Sequence, residues 1–219
     1  MLLWNDLKEG ARRVSAAIFL ISAMIMIAVP VAADQTVQTV PRSPKAVVEY
    51  LHAALLDAMK NAAKLGIKGR FESLAPKVAE AYDLNRWIRL ATGQYWSKAN
   101  EQQKEQLKSA FQKMSAATYA SQFDGYDGES FKTVKETPGP RDTILVQTQI
   151  VRNGKEPVGL TYVMIEGDDR WRIVDILLDN KISQLSVRRS EYRSLLQQSG
   201  IDGLISKLKE ITGKLLAPA

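Results

Sequence analysis

Apolar positions recur at two different periods along the chain, and the change from one to the other divides it. Val47, Val48, Leu51, Ala54, Leu55, Ala58 and Met59 fall on one side of a 3.6-residue repeat, behind Ser43 as N-cap and Pro44 at the first helical position. This spacing predicts an amphipathic helix to about Leu65, ended by Gly66 and Gly69. A shorter helix is expected over Leu74 to Ala81, and another from Leu84 to about Ala91, capped by Asp83 and closed by Gly93. Asn100 and Gln103 form a capping-box pattern before a long helix to about Gln122, with Leu107, Ala110, Phe111, Met114, Ala117 and Thr118 as its buried stripe.

Beyond Gly125 the period shortens to two. Glu129–Thr137, Thr143–Arg152, Val158–Glu166 and Arg170–Asp179 read as strands rich in Val, Ile, Thr and aromatic residues. Asn153-Gly154 signals a hairpin with a type I′ turn, and Gly167-Asp168-Asp169 a second hairpin. About four sequential antiparallel strands therefore form a meander. Helices over about Ser183–Gln198 and Asp202–Leu215, separated by Gly200, end the domain. Helices, then a sheet, then helices give an α+β domain. Ile144, Val146 and Ile150 share one face of their strand, opposite Leu145 and Val151. Ile173 and Leu177 are placed opposite Val174, Ile176 and Leu178. Apolar residues on both faces predict that helices cover much of the sheet, an arrangement that permits a cavity between the layers.

The first 33 residues are organised differently. Lys8, Arg12 and Arg13 precede an apolar run from Val14 to Val29, and Val31-Ala32-Ala33 offers small residues before Asp34. This is the plan of a cleavable signal peptide, so 1–33 is assigned to export, with a retained inner-membrane anchor as the alternative. Residues 34–42 are a polar lead-in, 43–215 the single domain and 216–219 a tail. The chain of 219 residues carries a formal net charge of +6. Loss of the leader's three bases and two acids (Asp6 and Glu9) would leave +5, mixed along the chain rather than blocked. Export makes nucleic acid an unexpected partner. With no cysteine there is neither a disulfide framework nor a lipidated cysteine.

A search for chemistry returns little. His52 is the single histidine; no G-x-S-x-G elbow accompanies it, and a surface or half-buried helix position is expected for it. Gly213-Lys214 lacks the spacing of a phosphate loop. Glu166, Asp168 and Asp169 belong to turn chemistry. Asp175, read as alternating with Ile173 and Leu177, is either a general base or a structural carboxylate. Arg188, Arg189 and Arg193 lie near the exit of the sheet, with Arg189 and Arg193 on one helix face, as a solvated surface or a contact for anionic headgroups or an acidic partner. No metal, cofactor or catalytic constellation is expected.

Several short runs resemble the MlaC family of periplasmic phospholipid carriers, also called toluene-tolerance proteins. They include Gly93-Gln94-Tyr95-Trp96, Tyr119-Ala120, Tyr126-Asp127-Gly128 and Asn153-Gly154-Lys155-Glu156-Pro157-Val158. Trp171-Arg172-Ile173-Val174-Asp175-Ile176 and Gly200-Ile201-Asp202-Gly203-Leu204-Ile205 extend the likeness over roughly Ser43 to Thr212. The stretch from Ile182 to Arg193 is similar to the hopanoid-associated branch, HpnM. The resemblance implies a curved sheet and helices enclosing an apolar cavity for acyl chains. It also implies traffic of phospholipid or hopanoid between an outer-membrane complex and an inner-membrane ABC transporter, without catalysis or cofactor. On the strands the implied lining is Val146, Tyr162, Met164, Val174, Ile176 and Leu178. On the helices it is Phe111, Met114, Tyr119 and Tyr192, with Arg188, Arg189 and Arg193 for headgroup or partner docking. A monomer suffices for such a carrier. The alternatives are a small-pocket, NTF2-like enzyme using Asp175, and a docking protein held by an uncleaved leader.

Overall fold

The computed structural model describes residues 43–217. The leader 1–33 and the lead-in 34–42 rest on the sequence alone and lie outside the described residues, as does the end of the tail. Among the described residues, none of the helices is long and apolar enough to cross a membrane.

Within the described residues six helices and five strands follow one another, beginning with α1 (Pro44–Lys60), α2 (Ala62–Ala81), α3 (Leu84–Thr92), α4 (Gln94–Lys98) and α5 (Glu101–Gln122). Then come β1 (Ser130–Pro138), β2 (Ile144–Arg152), β3 (Lys155–Glu166), β4 (Trp171–Leu178), β5 (Ile182–Ser183) and α6 (Gln184–Leu215). The caps are where the sequence puts them. Ser43 Oγ accepts from Ala46 N at 3.3 Å, and Asp83 Oδ1 from Arg86 N at 2.9 Å. The capping box closes with Gln103 N on Asn100 Oδ1 at 2.8 Å and Asn100 N on Gln103 Oε1 at 3.1 Å.

Helix ends differ in instructive ways. The first helix stops at Lys60, with Asn61 out of helical geometry, rather than near Leu65. Gly66 does break the path, at φ 58°, ψ −175°, but Gly69 lies inside α2, which runs through Pro76 to Ala81. Pro76 suggests a first turn near Leu74; the buried residues Arg70, Leu74, Val78 and Ala81 carry the helix across it instead. Arg70 donates to Ala62 O at 3.1 Å and Ala120 O at 2.9 Å, joining the region of the Gly66 break to the last turn of α5. Gly200 breaks α6 at φ 60°, ψ −160°, a region that essentially only glycine occupies. The short α4 has no counterpart in the predicted elements. Thr118, placed in the buried stripe of α5, is half-buried and returns its hydroxyl to Met114 O at 2.8 Å.

The sheet is an open antiparallel meander in the order β1-β2-β3-β4-β5, so it gains a fifth strand beyond the expected four. β5 holds two residues, paired as Leu177↔Ser183 and Leu178↔Ile182. It returns through a tight turn in which Asp179 and Asn180 both have positive φ and Lys181 N bonds Leu178 O at 3.0 Å. Asn153-Gly154 does make a hairpin, but not the expected type I′ turn. Gly154 has φ 65°, Asn153 is not among the positive-φ residues, and the register shifts between Ile150 and Arg152, where Val151 faces both Glu156 and Pro157. Asn153 Nδ2 donates instead to Asp127 O at 2.8 Å.

A second irregularity decides which residues face the helices. Val163 pairs with Asp175 but Met164 pairs with Ile173, so Val174 is the extra residue of a bulge. Parity flips there. Ile173, Ile176 and Leu178 stand opposite Met164, Tyr162 and Leu160, all on one face; the expected opposition of Ile173 to Ile176 and Leu178 does not hold. Asp175 shares the other face with Leu177, not with Ile173. Val146 and Ile150 continue the buried face into β2, and Phe131 into β1.

Helix α1 lies on this face and contacts β1 to β4, tied to the edge strand by Lys45 N on Glu136 Oε2 (3.1 Å) and Thr133 Oγ1 on Glu49 Oε1 (2.9 Å). Helix α2 packs on both α1 and α5, and α5 on α6. Leu145, Gln147, Gln149 and Val151, on the opposite face, are half-buried.

Candidate functional site

Where α1, α5 and the α2–α3 junction meet the sheet, aromatic side chains form a continuous chain. His52 of α1 stacks on Phe131 of β1, ring centroids 4.1 Å apart, and meets Tyr162 of β3 edge-on at 5.4 Å. Phe131 leads to Phe123 at 6.4 Å, Phe123 to Tyr119 at 5.8 Å, and Tyr119 to Tyr82 at 6.0 Å. From Tyr82 the chain continues to Trp87 at 6.1 Å and Phe111 at 6.4 Å. The junction is pinned to the sheet beside the bulge, since Tyr82 bridges Ile173 and Asp83 N bonds Ile173 O at 3.0 Å.

Two polar pairs sit inside this apolar setting. His52 Nε2 lies 2.9 Å from the Tyr162 hydroxyl, with the two residues only 4% and 2% exposed. The hydroxyls of Tyr82 and Tyr119 are hydrogen-bonded to each other. Burial disfavours every charged form here. It holds the His52 imidazolium down to about 3 and pushes the Tyr119 phenol up to about 12. Tyr82 and Tyr162 are raised well above the usual phenol value by burial, and the nearby Tyr119 adds to both. Tyr119 is half-buried by surface area, yet desolvated enough to shift this far. These four side chains are therefore uncharged throughout the physiological range. A base with a pKa near 3 takes up protons poorly at pH 7, so His52 is ill suited to general-base work.

The sequence placed His52 on the surface or half-buried; the helix turns it fully inward. Of the strand candidates, Val146, Tyr162, Met164, Ile176 and Leu178 are buried on the helix-facing side, and Val174 is buried at the bulge. Phe111 and Met114 are buried on α5, Tyr119 joins the aromatic chain, and Tyr192 is buried on the first half of α6. Sequence reasoning passed over Tyr82, Trp87, Phe123 and Phe131. They stand at a helix junction, on a short helix, at a helix end and on an edge strand, where neither periodicity gives them a face. His52 and Tyr162 are 110 residues apart, and no local pattern links them.

Asp175 has a definite structural task. Its Oδ1 accepts from Ile176 N at 2.8 Å and Leu185 N at 3.0 Å, and its Oδ2 from Ser183 Oγ at 2.5 Å. Ser183 Oγ in turn accepts from Ser186 N at 3.0 Å, so the carboxylate and the N-cap serine together hold the start of α6 against β4. Of the three arginines on α6, Arg188 pairs with Glu191 at 2.9 Å, while Arg189 and Arg193 are exposed.

The same fold occurs in a solved structure: a phospholipid-binding protein of Ralstonia solanacearum, determined in complex with a phospholipid. It superposes with a TM-score of 0.69 at 20% sequence identity, over 80% of this chain and 99% of that one. At that identity the likeness establishes the α+β architecture with its open antiparallel sheet. A family model described as MlaC protein matches residues 49–210, from the first turns of α1 into the second half of α6, and the chain belongs to the MlaC family.

Proposed function

We propose that this protein is a periplasmic lipid carrier, which takes acyl chains between the helix-facing side of its sheet and the helices and ferries them between membranes for an ABC-type transport system. The observation that carries this reading is the neutral aromatic interior, in which His52 and the phenols of Tyr82, Tyr119 and Tyr162 are all held uncharged. A cluster of uncharged aromatic side chains suits hydrocarbon. Membership of the MlaC family and the phospholipid bound by the Ralstonia protein support it. Asp175, on which an enzymatic alternative would rest, has its carboxylate engaged in capping.

Energetics favour exchange over capture. Each buried CH₂ is worth about 0.8 kcal/mol relative to water, so two long acyl chains amount to roughly 20 kcal/mol. A bilayer offers the chains nearly the same environment, which leaves the net transfer close to zero and reversible. In this reading Val146, Tyr162, Met164, Val174, Ile176 and Leu178 meet the chains from the sheet, and Phe111, Met114, Tyr119 and Tyr192 from the helices. Arg189 and Arg193, with Arg188 beside them, face headgroups or a docking partner. Phospholipid is the cargo preferred; a hopanoid rests on the likeness of Ile182 to Arg193 alone. The working form is the chain cleaved after Ala33.

The test is transfer of labelled phospholipid between donor and acceptor vesicles separated from direct contact. The rate should rise with protein concentration and leave the lipid chemically intact. No acceleration over protein-free vesicles would overturn the reading.

A further inference from the structure

The aromatic interior holds hydrogen-bond donors that meet no acceptor. A phenol has one proton to give. In the Tyr82–Tyr119 pair one proton lies in the mutual bond, and the other has no acceptor among the described residues. In the His52–Tyr162 pair a single proton fills the contact, whichever ring nitrogen carries the imidazole hydrogen. Trp87, 7% exposed and edge-on to the Tyr82 ring, has a buried Nε1 with no partner. Tyr192, 6% exposed, has a buried hydroxyl with none. A buried donor left unmatched is costly, so the site favours a guest that accepts hydrogen bonds. A carbonyl oxygen brings two lone pairs and no proton.

We propose that this cluster is a carbonyl-reading site, in which the surplus proton of the Tyr82–Tyr119 pair and the indole N–H of Trp87 donate to an ester carbonyl of the cargo. The proposal rests on the carrier reading and deepens it. It assigns the cargo to acyl esters rather than polycyclic hydrocarbons, and it makes selection independent of the headgroup, because the contact is made at the linkage. The neutrality of the cluster fits a neutral acceptor; an ionised carboxylate would find no cation among these side chains.

The test is competitive uptake. Mature protein is incubated with vesicles holding equal amounts of a diester phosphatidylcholine and its diether analogue of the same chain length. The protein is re-isolated, and its bound lipids are quantified by mass spectrometry. The wild type should carry the diester over the diether by about five-fold. Tyr82→Phe or Tyr119→Phe alone should keep the preference, because each leaves one hydroxyl whose proton is then free. The double variant should lower the ratio about three-fold or more, a pattern that loss of packing does not produce. Equal uptake by the wild type, or an unchanged ratio in the folded double variant, would overturn the proposal while leaving the carrier reading intact. Uptake of neither lipid would overturn both. If the double variant does not fold, Trp87→Phe decides: a reduced ratio supports the site, an unchanged one refutes it.

Discussion

Replacing Asp175 separates a structural carboxylate from a catalytic one. In Asp175→Ala, Leu185 N and Ser183 Oγ lose their shared acceptor, and the first turn of α6 loses an anion at its positive end. A hydrogen bond to a charged group contributes about 1.5–3 kcal/mol, and a carboxylate at a helix N-terminus about 0.3–1 kcal/mol. The contributions overlap, because the same oxygens serve both, so the expected loss is about 3 kcal/mol. Asp175→Asn keeps one oxygen but no charge and should lose about half as much. With a urea m-value of about 2 kcal/mol per molar, the midpoint should fall by roughly 1.5 M for Ala and roughly 0.7 M for Asn. The assay is equilibrium urea unfolding followed by far-UV circular dichroism and tryptophan fluorescence. A midpoint for Asp175→Ala within about 0.3 M of wild type would refute the capping argument. A general base would give the opposite signature, with stability kept and an activity lost.

Two further perturbations probe the interior and the backbone. His52 is neutral when folded, down to about pH 3, and protonates near 6.5 when unfolded, so the unfolded state binds more protons between those values and stability falls as pH falls through that window. Urea unfolding should show about 2 kcal/mol lost between pH 7 and pH 5, and His52→Gln, which keeps a polar partner for Tyr162 without titrating, should lack that component. Gly200→Ala meets no atom within 4 Å, yet φ is +60°, so the variant should lose about 1–3 kcal/mol and several degrees in Tm. An unchanged melt by calorimetry would contradict the backbone argument.

Local chemistry was well marked in the sequence and long-range geometry was not. Ser43, Asp83 and the Asn100–Gln103 pair announce helices because a cap is a contact across three residues. The four long strands follow from their alternation, and so does the burial of Val146, Tyr162 and Met164. Alternation also misleads at Val174, where one added residue reverses parity and moves Ile173 to the opposite face. β5 is too short to show any period; its signal was Asp179-Asn180, two residues that tolerate positive φ, placed just before Ile182. The aromatic chain joins α1, α3, α5, β1 and β3, with Tyr82 and Phe123 just outside helix ends, so it exists only once the fold is formed.

Native mass spectrometry tests the carrier account most directly. The full-length chain is expressed in an envelope-bearing host and the mature form is purified without detergent. The account predicts protein carrying an added mass equal to a membrane lipid, released on denaturation and identified in the extract as an acyl ester. A bare protein mass, unchanged after incubation with vesicles of the native lipids, would contradict it.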